Sequence, residues 1–143
     1  MTFSKDRKSL GRLNKEGSWE LIRFCNKLGY LVIGGASRLF KNFIDKYNPL
    51  YVTSFCDRRW SPDNNFYKNL GFNFLDNTPP NYWYYQNNTL IRMHRYNFRK
   101  DVLVKQGFDK EKTEFEIMSE RNYMKVYDCG SSKWLWENKK EEL

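Results

Sequence analysis

The sequence predicts an α/β domain of the α+β type, with a mixed, mostly antiparallel sheet flanked by helices. Three observations carry that expectation. A glycine turn at Gly34-Gly35 opens an amphipathic stretch that runs to Tyr47. Strand-like runs lie on either side of it, at Ser18–Cys25 and Leu50–Cys56. Further on, short aromatic strands and two short helical patterns follow one another.

Taken in order, Thr2-Phe3-Ser4 reads as a short edge strand leading into a basic loop with Arg7, Lys8, Arg12 and Lys15. Ser18 to Cys25 alternates, setting Trp19, Leu21, Arg23 and Cys25 on one face and Glu20, Ile22 and Phe24 on the other. Asn26 to Tyr30 is a loop, and Leu31-Val-Ile is the end of an extended segment. In the helix that follows the glycines, Leu39, Phe40, Phe43, Ile44 and Tyr47 share one face, while Lys41, Asn42, Asp45 and Lys46 fill the other. Asn48-Pro49 breaks it, and Leu50 to Cys56 reads as a buried strand.

Asn65 to Phe72 holds a short helix closed by Gly71. Phe72–Leu75 and Tyr82–Gln86 read as strands joined across the stiff Thr78-Pro79-Pro80-Asn81 loop. Asn87-Asn88 makes a hairpin turn into Leu90–Arg95. Phe98 to Gln106 is a basic helix stopped by Gly107, and Thr113-x-x-Glu116 is a capping box opening a second helix through Arg121. Met124–Tyr127 and Lys133–Trp136 form a hairpin around Asp128-Cys-Gly-Ser, and the tail from Glu137 is mixed in charge.

With 143 residues, 40% of them hydrophobic, the chain suffices for one domain with its own core. The single domain divides into a half at 1–76 and an aromatic, basic half with a C-terminal extension at 77–143. A net charge of +8 favours a polyanionic partner, nucleic acid first and DNA ahead of RNA, against a merely soluble basic surface. The three cysteines form no Cys-x-x-Cys pair, which excludes a zinc ribbon and a disulfide framework. Cys25 and Cys56 fall in apolar runs where a reduced, buried thiol is usual, as suits a cytoplasmic protein. No apolar run is long enough for a membrane span, and there is neither a signal-peptide core nor an internal repeat. His94 stands alone, so no histidine-based metal motif exists, and the scattered carboxylates form no nuclease cluster. Strand cleavage by this chain alone is not expected.

The order of glycine turn, helix, strand and short helix carries a resemblance. Gly34-Gly35-Ala36-Ser37-Arg38-Leu39 looks like the Gly-x-Gly/Ala-x-x-Leu turn of the GNAT superfamily of N-acetyltransferases, and Phe66-Tyr67-Lys68-Asn69-Leu70-Gly71-Phe72 resembles its Phe-Tyr-x-x-x-Gly-Phe. Leu31 departs from the family, which usually has Gln or Arg three residues before the first glycine. A narrower likeness runs through Met-Thr-Phe-Ser-Lys, Trp-Glu-Leu-Ile-Arg-Phe-Cys, Asp-Arg-Arg-Trp-Ser, Pro-Asn-Tyr-Trp-Tyr and Tyr-Asp-Cys-Gly. It is to the C-terminal part of phage proteins labelled homing endonucleases and to Mom-type DNA-modifying acyltransferases.

The resemblance implies a GNAT-like fold lacking its first strands and helices, with a C-terminal helix-hairpin extension, in a phage-infected bacterial cytoplasm. It implies acetyl-CoA or another acyl-CoA held at Ile33, Gly34, Gly35, Ala36, Ser37 and Arg38. Bare N–H groups at a helix start attract phosphate, although two glycines before a core helix also make a simple turn. Tyr67 is implied as the proton donor to the departing thiolate, or else a packing ring. Glu20 is implied as general base, or else an ion-pair partner of Arg23. Asp57 ends its strand where ligand-facing groups gather in open sheets, or is held by Arg58 or Arg59. The expected absence of the front of the fold leaves room for a second copy or a partner chain.

Because Tyr82, Trp83, Tyr84 and Tyr85 are consecutive, alternation puts some rings on an outer face. There Tyr84, with Arg92, Arg95, Arg99 and Lys100, is a candidate for stacking on bases and meeting phosphates, as are Arg58, Arg59 and Trp60. Core packing with a solvated basic helix is the other reading of the same residues. Two functions therefore stand side by side. One is an acyltransferase acting on nucleic acid. The other is a non-catalytic binding module, either for nucleic acid alongside a homing nuclease or as a phage factor against a host protein.

Overall fold

The computed structural model describes residues 1–5, 16–61, 66–86, 89 and 91–139. The basic loop with Arg7, Lys8, Arg12 and Lys15, the Asn87-Asn88 turn and the last four residues lie outside the described residues. The protein is mixed α+β, its sheets mostly antiparallel. It divides into two compact units, Met1–Thr78 with Ser131–Leu143, and Pro79–Gly130.

The first unit holds β1 (Thr2–Lys5), β2 (Ser18–Arg23), α1 (Gly35–Tyr47), β3 (Tyr51–Asp57), α2 (Phe66–Asn69), β4 (Asn73–Asn77) and β8 (Ser131–Glu137). Its sheet order is β1-β2-β3-β8-β4. Among the described residues β2 and β3 are the one parallel pair of this sheet, and α1 is their crossover.

Register fixes the faces. Trp19 lies opposite Val52, Val52 opposite Trp136, and Leu21 opposite Ser54, itself opposite Trp134. Residues directly opposite share a face, so all six look the same way, toward α1. Phe43 stacks on Phe3 at 3.6 Å and meets Trp19 edge-on, while Phe40 meets Trp136 edge-on. Leu21, Phe40, Phe43, Val52, Phe72 and Trp134 form the buried core. The apolar stripe of α1 is narrower than its sequence pattern, because Leu39 and Tyr47 lie at its rims, half exposed. The helix stops where Asn48 turns left-handed and its N–H reaches the Ile44 carbonyl.

The second unit holds β5 (Tyr82–Gln86), β6 (Arg92–His94), a 3-10 turn (Arg95–Phe98), α3 (Lys100–Lys105), α4 (Glu114–Glu120) and β7 (Tyr123–Tyr127). Its sheet order is β6-β5-β7. Tyr84, Leu103, Ile117 and Met118 form a separate core beneath the two helices. The capping box is present: Thr113 accepts from the Glu116 N–H, and the Glu116 carboxylate accepts from the Thr113 N–H at 2.7 Å. That N–H first, and then the Thr113 hydroxyl donating to the same carboxylate at 2.7 Å, pull the Glu116 carboxyl below its usual range.

Three sequence expectations change. The strands at 124–127 and 133–136 exist but are not a hairpin: β7 pairs with β5, and β8 lies between β3 and β4. There Trp134 joins the core under α1 and Trp136 packs against it. Leu31-Val-Ile is no strand; it is loop, with Leu31 84% and Ile33 87% exposed. Cys25 is exposed rather than buried, because β2 ends at Arg23; Cys56 is half buried and Cys129 exposed, and no disulfide joins any of the three.

Candidate functional site

The parallel pair β2/β3 holds together for four residues, the last being Leu21 opposite Ser54. Beyond that point β3 continues through Phe55, Cys56 and Asp57 against β8, while β2 runs on through Ile22 and Arg23 without it. A fork opens between two parallel strands. Ser54 closes its apex, its hydroxyl donating to the Leu21 carbonyl at 2.8 Å in place of a ladder bond. A fork of this kind parts main-chain groups that a ladder would join, and groups from outside the pair can meet them there.

Next to it the chain enters α1. Gly34 adopts φ +69°, a conformation that suits glycine, and Gly35 N–H donates to the Val32 carbonyl at 3.1 Å. Among the described residues no side chain caps the helix, and no acidic residue stands in its first turn. Among the described residues, the N–H groups of Ala36 and Ser37 have no acceptor. A cleft of about 420 Å³ lies at this helix start, lined by Phe24, Val32, Ile33, Ala36, Ser37 and Phe66 among others. Phe24 stacks on Phe66 at 5.0 Å, which ties the end of β2 to α2. The cleft is therefore apolar along its walls and positive at one end. Ile33, Gly34, Ala36 and Ser37 line it; Gly35 and Arg38 belong to the same turn. A Cβ on Gly35 would meet the Val32 Cγ1 at 2.9 Å.

Tyr67 comes to the fork from α2. Its hydroxyl reaches the Phe55 carbonyl at 3.5 Å, one residue past the apex, and its ring stacks on Trp134. Burial raises the phenol above its ordinary value, Ser54 opposing and Cys56 adding to the shift, so the proton stays on at neutral pH. Glu20 stands one residue before the apex, opposite Thr53, and is 2% exposed. By alternation it looks away from α1, to the opposite face from Tyr67. Asp57 ends β3 but turns on its own loop: its carboxylate accepts from the Arg59 N–H at 2.8 Å, and its carbonyl from the N–H groups of Trp60 and Ser61.

The basic candidates fall into two groups. In the first unit, the Asp57 turn displays Arg58, Arg59 and Trp60, with the Arg59 guanidinium 4.8 Å from the exposed Trp60 ring. In the second unit, Arg92, Arg95, Arg99 and Lys100 follow one another through β6, the 3-10 turn and the start of α3. Arg95 lies over Tyr82 and Arg99 over Tyr96, and Arg99 also pairs with Asp101 at 3.3 Å.

Tyr84 is corrected: it is 0% exposed in the core, its hydroxyl donating to Glu114 at 2.8 Å, and it has no face to offer a base. The helices α3 and α4 pack on the Tyr84 side, so Trp83 and Tyr85 carry the outer face instead. His94 lies opposite Trp83 and Arg92 opposite Tyr85. Consecutive aromatics give no parity of their own; only the position of the helices assigns it. The fork residues Ser54 and Phe55 were likewise invisible in the sequence, since nothing local says where a parallel pair parts.

Among the described residues no group of three His, Cys, Asp or Glu side chains is placed to hold a metal, and no helix is long and apolar enough to cross a membrane. Compared with known proteins, the chain matches no protein-family model and shows no significant similarity to a curated protein.

Proposed function

We propose that the first unit is a GNAT-like acyltransferase module that takes acyl-CoA into the β2/β3 fork and transfers the acyl group to an amine on nucleic acid. The observation that carries this reading is the opening of the parallel pair beside an uncapped helix start. The cleft fits such a donor chemically. Two unpartnered N–H groups, from Ala36 and Ser37, suit a diphosphate, with Arg38 on the same turn. The walls of Phe24, Val32 and Phe66 suit an aliphatic arm, and the strand backbone at the fork suits amides.

Acyl-CoA supplies a thioester carbonyl. The attacking amine forms a C–N bond as the C–S bond breaks, and the sulfur leaves with the electron pair. Tyr67 stands at the fork with its proton retained, so we assign it to protonate that thiolate. Glu20 stands next to the fork on the opposite side of the sheet from Tyr67, and we assign it to take the amine proton. The Arg59/Trp60 turn and the Trp83, Tyr85, Arg92 and His94 face suit phosphates and unpaired bases.

The test is calorimetric titration with acetyl-CoA, followed by mass spectrometry of an oligonucleotide incubated with both. Micromolar binding that Gly35→Trp abolishes, with a mass gain of one acetyl group, supports the reading. No heat at millimolar acetyl-CoA overturns it. The second reading, a nucleic-acid-binding module without catalysis, is favoured by the half-buried Trp83/Tyr85 face beside Arg92 and His94, which needs no donor. It predicts salt-sensitive oligonucleotide binding with no acetyl-CoA binding.

A further inference from the structure

The second unit ends in an edge strand whose outer rim is open. β7 is bonded to β5 on one side, and among the described residues no strand pairs with its other side. Alternate N–H and C=O groups along such an edge point outward and template another strand. Beside this edge runs a groove of about 540 Å³, with Phe115 and Ser119 of α4 on one wall and Tyr123, Lys125 and Tyr127 of β7 on the other. Phe115 is 54% and Tyr127 60% exposed, so the groove offers apolar surface on both banks. It lies within the second unit.

Lys125 decides what the groove accepts. It is the one charged side chain among the lining residues. Its ammonium sits 4.3 Å from the Tyr82 ring and 5.1 Å from that of Phe115, and it makes no ion pair among the described residues. The nearby Glu114 is engaged elsewhere, accepting from Tyr82 at 2.7 Å and from Tyr84 at 2.8 Å. A second copy of the chain is a poor occupant. A two-fold pairing of Tyr123-Met124-Lys125-Val126-Tyr127 about its centre sets Lys125 against Lys125, and like charges directly opposite are unfavourable. Lysine at the middle of an edge is a common guard against that event. The same charge attracts a carboxylate.

We propose that the β7 edge and the β7/α4 groove bind an extended peptide strand of another protein, its central acidic side chain meeting Lys125 and its flanking apolar side chains packing on Phe115 and Tyr127. Main-chain bonds to β7 supply affinity and the groove supplies selectivity. This site is independent of the fork and of acyl transfer.

The experiment selects random heptapeptides from a display library against the intact chain, then titrates the synthesised winners by amide NMR. Expected are sequences with an acidic centre between apolar residues, shifts at residues 123–127 and along α4, and slowed exchange of β7 amides. Methylating the peptide's backbone nitrogens removes strand pairing and should abolish binding with the protein untouched. Lys125→Glu should weaken an acidic-centred winner about tenfold or more and strengthen its lysine-centred counterpart. That reversal of preference also shows the variant is folded. No enrichment, shifts elsewhere, indifference to N-methylation, or self-association through residues 123–127 would each overturn the proposal.

Discussion

Replacing Ser37 by Asp separates the stability of α1 from its use as an anion site. Ser37 is the third residue of the helix and exposed, and the first turn carries no acid. A carboxylate there should stabilise a free helix start by about 0.3–1 kcal/mol through the helix dipole. The same charge would face a bound diphosphate. At a separation of about 5 Å and an effective dielectric of about 20, one pair of like charges repels by about 3 kcal/mol. Salt and solvent at an exposed residue cut that by half or more. The net expectation is an affinity for acetyl-CoA weaker by up to about tenfold. Urea unfolding and calorimetric titration read the two effects on the same sample, with Ser37→Asn as the uncharged control. Ser37→Asp that is no less stable but loses binding fits the assignment. If Asp and Asn variants bind acetyl-CoA equally well, the diphosphate does not sit at this helix start.

Tyr67→Phe keeps the stack on Trp134 and removes only the hydroxyl, so it should lower kcat for acyl transfer while leaving KM for acetyl-CoA nearly unchanged; an equal kcat denies Tyr67 the proton. Because its phenol is held above its ordinary value, the loss of transfer that follows its deprotonation should appear only at alkaline pH, as read in a rate profile. Phe43→Ala removes a ring wedged between Phe3 and Trp19 and should cost about 3–5 kcal/mol in urea unfolding, against about 1 kcal/mol for Thr113→Ala, which loses one cap. Burial first, then the shared Glu114, raises the Tyr84 phenol above its ordinary 10.0. The native chain thus holds a proton that the unfolded chain releases, so this contribution is intact below pH 10 and declines as pH rises beyond it. Unfolding at pH 8 and pH 11 should show a smaller loss for Tyr84→Phe than for the parent chain.

Local chemistry alone determined most of the elements. The stop at Asn48-Pro49, the Thr113/Glu116 box, the turn at Gly34 and the alternation of Ser18–Arg23 each act within a few residues, so the sequence exposes them directly. The candidate residues Gly34 to Arg38 and Tyr67 were legible for the same reason: their signal is a short motif. Pairing was not. β8 sits between β3 and β4, where Trp134 joins the buried core and Trp136 packs against it, a placement decided only across the whole sheet. Which of four consecutive aromatics faces outward was settled by α3 and α4, and where β2 parts from β3 by the register of two strands on either side of a helix. A residue's conformation is set by its neighbours in sequence, but its face and its partner are set by whatever buries the most apolar surface, and that is a property of the assembled fold.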